Sequence, residues 1–100
     1  MKLLRAFSAE GERLGYMFWC PGCDEAHPFY VAGPNAKWTF NGDEERPTFA
    51  PSLLLQRSKN DGTGRGPRCH LFLTDGVLQY LGDCEHALAN QSVPLQEWPL

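Results

Sequence analysis

Cys20-Pro-Gly-Cys23 sets two thiols three positions apart around a tight turn, a spacing that lets both sulfurs point at one cation. The turn also frees backbone N–H groups to hydrogen-bond the sulfurs. Further soft donors follow at Cys69-His70 and at Asp83-Cys84-Glu85-His86. Two more ligands close a tetrahedral shell, and His27, Cys69, His70, Cys84 and His86 compete for those places. Thiolates mixed with imidazoles select Zn2+. Four protein ligands would make the ion a structural clamp. Three ligands and a water would make it catalytic, with Asp24, Asp83 or Glu85 as the neighbouring base. Neither HExxH nor the H-x-E…P-C-x-x-C order of nucleobase deaminases occurs. A thioredoxin-type CxxC opens a helix after a strand, and Asp24-Glu25-Ala26-His27-Pro28 is poor helix material.

The elements that must position these donors read as short strands joined by turns. Gly and Pro, 10 and 8 residues, are spread along the chain. Leu3 to Phe7 suits a short strand, and Ser8 to Leu14 a brief helical turn. Tyr16 to Trp19 is an aromatic strand that delivers Cys20, and His27 to Ala32 is its return. Trp38 to Phe40 ends at the turn dipeptide Asn41-Gly42. Thr48 to Gln56 is extended, with Pro51 confining it to an edge or a bulge. Asp75-Gly76, between Cys69–Thr74 and Val77–Leu81, is the strongest hairpin signal. A two-residue turn there pairs Thr74 with Val77, Leu73 with Leu78, Leu71 with Tyr80 and Cys69 with Gly82. One face then carries Cys69, Leu71, Leu73, Leu78 and Tyr80, and the other His70, Phe72 and Leu81. A strand continuing past Gly82 would bring Cys84 and His86 to the Cys69 face, and a bulge or sharp bend at Gly82 would undo this. Cys84 to Ala89 also suits a helical turn, and Val93 to Leu100 an extended strap.

Bulk properties narrow the classes. One hundred residues predict a single domain, 1–100, with a thin margin of core that a metal would reinforce. Hydrophobic residues are 42% and aromatics 12%, which argues against disorder. The net charge of −3 supplies no global field for nucleic acid. Arg57, Lys59, Arg65 and Arg68 form a local basic set on a Gly-rich stretch, 57–68, that reads as a flexible loop, and they are the candidate phosphate contacts. No apolar run matches a signal peptide or a membrane span, so the expectation is a cytoplasmic protein with reduced thiols.

Five strings, FWCPGC (18–23), WTFNGD (38–43), RPTFAPSL (46–53), CHLFLTDG (69–76) and DCEHALANQSVPL (83–95), are spread along most of the chain. Together they resemble a family of small bacteriophage and prophage proteins of unknown function, often labelled ammonia monooxygenase. The resemblance implies a phage-carried metal-binding domain, acting in the host cytoplasm, and a setting beside bacterial ubiquitin-like conjugation genes. It implies serine in relatives where Cys84 stands, leaving Cys20, Cys23, Cys69 or His70, and His86 as ligands. It also implies glycine where Asn90 stands. The oxygenase label has no support in these residues, which offer neither copper-site histidines nor a membrane span.

The expected fold is mainly β, with room for a small α+β variant: antiparallel hairpins clamped by one structural zinc, with a zinc-ribbon-like knuckle at CPGC. Cys20, Cys23, Cys69 and His86 are the expected ligands, with His70, Cys84 and His27 next in line. The expected function is a non-enzymatic accessory module that binds a host or phage protein. The alternatives are a zinc-dependent hydrolase of peptide or isopeptide bonds with an open metal site, and a nucleic-acid-binding zinc protein.

Overall fold

The computed structural model describes residues 3–56 and 68–99. Arg57, Lys59, Arg65 and the expected loop up to residue 67 lie outside the described residues. The described chain is all β, with no helix. β1 (Leu4–Ala9), β2 (Glu12–Cys20) and β3 (Glu25–Tyr30) form one antiparallel sheet in that order. β4 (Thr39–Phe40), β5 (Phe49–Gln56), β6 (Arg68–Thr74), β7 (Val77–Tyr80) and β8 (Ser92–Pro94) form the second, also in chain order.

The first hairpin corrects the expected helical turn at Ser8 to Leu14. Ala9 pairs with Glu12 across Glu10-Gly11, whose φ angles are 53° and 83°. Two successive positive φ values make the turn that matches strand twist, and glycine at the second position removes its steric cost. β2 and β3 then run antiparallel with Phe18 opposite His27 and Cys20 opposite Glu25. Alternation buries Phe18, Cys20, His27 and Phe29.

The Asp75-Gly76 hairpin has the expected register: Thr74 with Val77, Leu73 with Leu78, Leu71 with Tyr80. Cys69, Leu71, Leu73, Leu78 and Tyr80 are buried on one face. The ladder stops there and does not extend to Cys69–Gly82. Leu81 N–H bonds the His70 carbonyl at 2.9 Å and Cys84 N–H bonds the Leu81 carbonyl at 3.2 Å, which turns the chain away from the strand direction. Residues 84–89 form turns instead of a helix. They close at Asn90, whose φ of 65° explains why glycine suits this position. Of the expected terminal strap, Val93 to Leu100, only Val93 and Pro94 pair as a strand, together with Ser92, against β7.

Pro51 lies where two expectations meet. The β5–β6 register shifts between Phe49 and Leu53, as at a bulge. β4 covers only Phe49 and Ala50, so β5 is an edge strand beyond them. The two sheets face each other through side chains. Phe29 of β3 stacks on Phe49 of β5 with centroids 4.2 Å apart and planes at 2°, and Tyr16 of β2 meets Phe40 at 4.7 Å.

Candidate active site and metal centre

Cys20 ends β2, Cys23 follows in the knuckle, His27 lies on β3 and Cys69 on β6. Their ligand atoms all lie within 4.8 Å of one another, and the group could hold a metal ion. The sheets are therefore joined at this point by donors from both. A tetrahedral ion with bonds of about 2.3 Å to sulfur holds its sulfurs about 3.8 Å apart. Cys20 Sγ and Cys69 Sγ stand 3.9 Å apart. His27 is buried and its Nε2 has no hydrogen-bond partner, an orphaned donor atom beside three thiols. Without a cation the thiols cannot all ionise. Hydrogen bonds from Cys23 and then Cys69 pull the Cys20 thiol well below its ordinary range. Hydrogen bonding to Cys20 and Cys23 pushes Cys69 far above it, since a second thiolate would sit against the first. A dication removes that conflict, so the donor set fits one.

The neighbours of the cluster are also polar and ordered. Tyr80 Oη lies 3.0 Å from Cys20 Sγ and donates to the thiolate; burial first, and this bond second, hold the phenol above its ordinary range. His86 belongs to an adjoining group with Cys69 and Cys84. Its Nε2 lies 3.6 Å from Cys69 Sγ, and its Nδ1 accepts Leu88 N–H at 3.2 Å. An accepting Nδ1 leaves the ring proton on Nε2, aimed at the sulfur. Three of the four expected ligands thus share one group with His27, while His86 touches it through Cys69. Gly22 makes the closeness feasible, because a Cβ there would run into the His86 ring.

His70, next to Cys69, points the other way, as strand alternation requires. Its Nδ1 lies 3.2 Å from both carboxylate oxygens of Asp83, and its Nε2 lies 3.3 Å from Ser52 Oγ. A carboxylate only accepts, so Nδ1–H donates to Asp83 and Nε2 is free to accept from the Ser52 hydroxyl. Asp83 is brought here by the turn after Leu81, and Ser52 by the bulged β5. Three other bonds hold the pieces. Cys84 Sγ accepts His70 N–H at 3.3 Å and donates to the His70 carbonyl at 3.1 Å, while Trp38 Nε1–H bonds the Ser52 carbonyl at 3.3 Å. Cys84 is thus engaged with the His70 backbone. Side-chain exposure of 24% for His70 and 45% for Asp83 leaves the array open to a macromolecule. Arg68, the described member of the basic set, bonds its backbone N–H to Glu85 Oε1 at 2.8 Å at this same end.

The sequence singled out His70 as a reserve metal ligand and Asp83 as a base beside a metal, and missed Ser52. The available signal was the pair of strings PS (51–52) and CH (69–70), which have no chemical meaning until the strands are paired. A serine, imidazole and carboxylate in this relation recur on unrelated folds and are recognised by geometry, not by sequence position.

A serine, an imidazole and a carboxylate hydrogen-bonded in this order are an arrangement that acyl-transfer hydrolases use. The family profile described as "Bacterial ubiquitination-like system serine protease (BubE)" matches residues 3–81, and the chain belongs to that family. The match includes Cys20, Cys23, His27, Ser52, Cys69 and His70, and stops just before Asp83. No curated protein and no solved structure matches the chain. Among the described residues, no helix is long and apolar enough to cross a membrane.

Proposed function

We propose that the protein is a serine protease acting on protein substrates of a bacterial ubiquitination-like system, with Ser52 as nucleophile, His70 as general base and acid, and Asp83 as the group that orients His70. The Ser52–His70–Asp83 relay is the observation that carries this reading. Ser52 Oγ attacks the carbonyl carbon of a peptide or isopeptide bond while its proton passes to His70 Nε2. The imidazolium, steadied by Asp83, returns that proton to the leaving amine, and an ester to Ser52 remains. Water, deprotonated by His70, then releases the acid and regenerates the serine. This reading replaces the expected non-enzymatic binding module with an enzyme, and it keeps the hydrolase alternative with a serine, not a metal-bound water, as the reacting group.

The cation site then has a structural role. Zn2+ suits three thiolates and an imidazole, and Cys20, Cys23, Cys69 and His27 are the residues we assign to hold it, with His86 donating to Cys69 from outside. Bound there, the ion would offset two of the three thiolate charges and join the two sheets. No step of the hydrolysis passes through it.

The test is covalent. A fluorophosphonate probe should add once, at Ser52, as read by mass spectrometry of the intact protein and its peptides. Ser52→Ala should abolish the adduct, and His70→Ala should slow it by about a thousandfold or more, with melting temperatures near that of the wild type. Labelling at another serine, or none, would reject the assignment.

A further inference from the structure

We infer that the substrate docks as an added β-strand along the open edge of β5, hydrogen-bonded to the backbone of Leu54, with apolar residues beside the scissile bond seated on Leu54 and Phe72. This rests on the triad reading and specifies how its substrate is held. Three observations carry it.

The first is the edge. β6 occupies one side of β5, and β4 occupies the other only at Phe49 and Ala50. Trp38 caps the next outward group, the Ser52 carbonyl. Among the described residues, no strand lies beyond Leu53 on that side.

The second is the direction of the backbone groups. His70 sends its carbonyl to Leu81 N–H and its N–H to Cys84 Sγ, both away from β5. A residue facing away from its partner strand sits in a pair without mutual hydrogen bonds, so the residue opposite also faces away. That residue is Leu54. Its N–H and C=O therefore point out of the open edge, two residues from the nucleophile, just as the Ser52 carbonyl does. Edge groups of this kind pair with extended peptides, with backbone bonds setting register and side-chain contacts setting preference.

The third is the surface. Leu54 stands opposite His70, and Ser52 and Phe72 follow one step beyond the pair Leu53–Leu71. The four side chains share one face: Ser52 and His70 on one diagonal, Leu54 and Phe72 on the other. Leu54 is 56% and Phe72 39% exposed, two large apolar side chains left in water next to a reactive pair.

The experiment compares the wild type with Leu54→Pro, Leu54→Glu and Phe72→Glu. Fluorophosphonate labelling of Ser52 reports the triad alone, because the probe is too small to span a strand edge. Digestion of a proteome-derived peptide mixture, read by mass spectrometry, reports extended substrates. Proline at an outward edge position removes the N–H without breaking a ladder bond. Leu54→Pro should keep its labelling rate within about twofold and lose about tenfold in kcat/KM, mostly through KM. The two glutamate variants should lose the wild type's preference for apolar residues flanking the cleaved bond. Unchanged cleavage and preference in labelled variants would overturn the docking mode. So would a wild type that labels at Ser52 but cuts no peptide in the mixture. An unlabelled wild type would remove the triad reading first, and this inference with it.

Discussion

Cys69 and His70 are adjacent, and their side chains leave β6 on opposite faces, so one step of strand alternation assigns the first to the thiol cluster and the second to the array with Ser52 and Asp83. Cys84 ties the two together by bonding both backbone groups of His70. A hydroxyl can make the same two bonds, which gives a physical reason for the serine that the family resemblance implies at this position. Cys84→Ser should therefore keep both melting temperature and labelling rate near the wild type. Cys84→Ala should cost about 1–3 kcal/mol, because two backbone groups lose their side-chain partner. Equal damage from both would mean that sulfur itself is needed, as a ligand would require. The two histidines separate in the same way. His27→Ala should purify with less than stoichiometric zinc by elemental analysis, and His86→Ala should keep its zinc; the reverse would hand the fourth place to His86. The cysteines were legible in the sequence because CPGC is itself a chelating motif. The triad was not, since its members stand 18 and 13 positions apart and carry no local signature.

Elements were legible where a turn residue had one dominant meaning. Asp75-Gly76 adopts φ values of 48° and 76°, and the hairpin followed with its register. Glu10-Gly11 makes the same kind of turn, but its polar surroundings read equally well as a helix start. The segment after Tyr80 reads in two ways, as a strand running on or as a bend at Gly82, and the hydrogen bonds that select the bend, from Leu81 and Cys84, become visible only with the partner strand in place. Asn90 ends this segment at φ 65°, in the region that costs most side chains roughly 1–2 kcal/mol. Asn90→Gly should leave stability unchanged or raise it slightly, whereas Asn90→Ala should lower the melting temperature by several degrees. Because the Asn90 side chain lies beside Gly82 and Asp83 follows that glycine, both variants lose that contact and should label more slowly at Ser52. Loss of stability without slower labelling would show that the turn does not position Asp83.

At the scale of the molecule, two sheets meet without a shared strand. An aromatic seam of Phe29, Phe40, Phe49 and Tyr16 joins them on one side, and the donors Cys20, Cys23, His27 and Cys69 on the other. The aromatic contacts are ordinary burial and need no ion. The thiol cluster does need one, because its sulfurs are too close for more than one of them to ionise without a cation. Metal loss should therefore loosen one side of the junction before the other. A high-affinity chelator should lower the melting temperature sharply, by well over ten degrees if binding contributes several kcal/mol. Amides of β2 and β3 near Cys20 and His27 should exchange with deuterium before those flanking Phe49. His70 directly follows Cys69 and its backbone is held by Cys84, so fluorophosphonate labelling should fall with the metal and return on adding Zn2+. Cys20→Ser should show the same early exchange even with zinc in excess. An unchanged melting curve in chelator, with no metal found by native mass spectrometry, would mean that the aromatic seam alone keeps the two sheets in place.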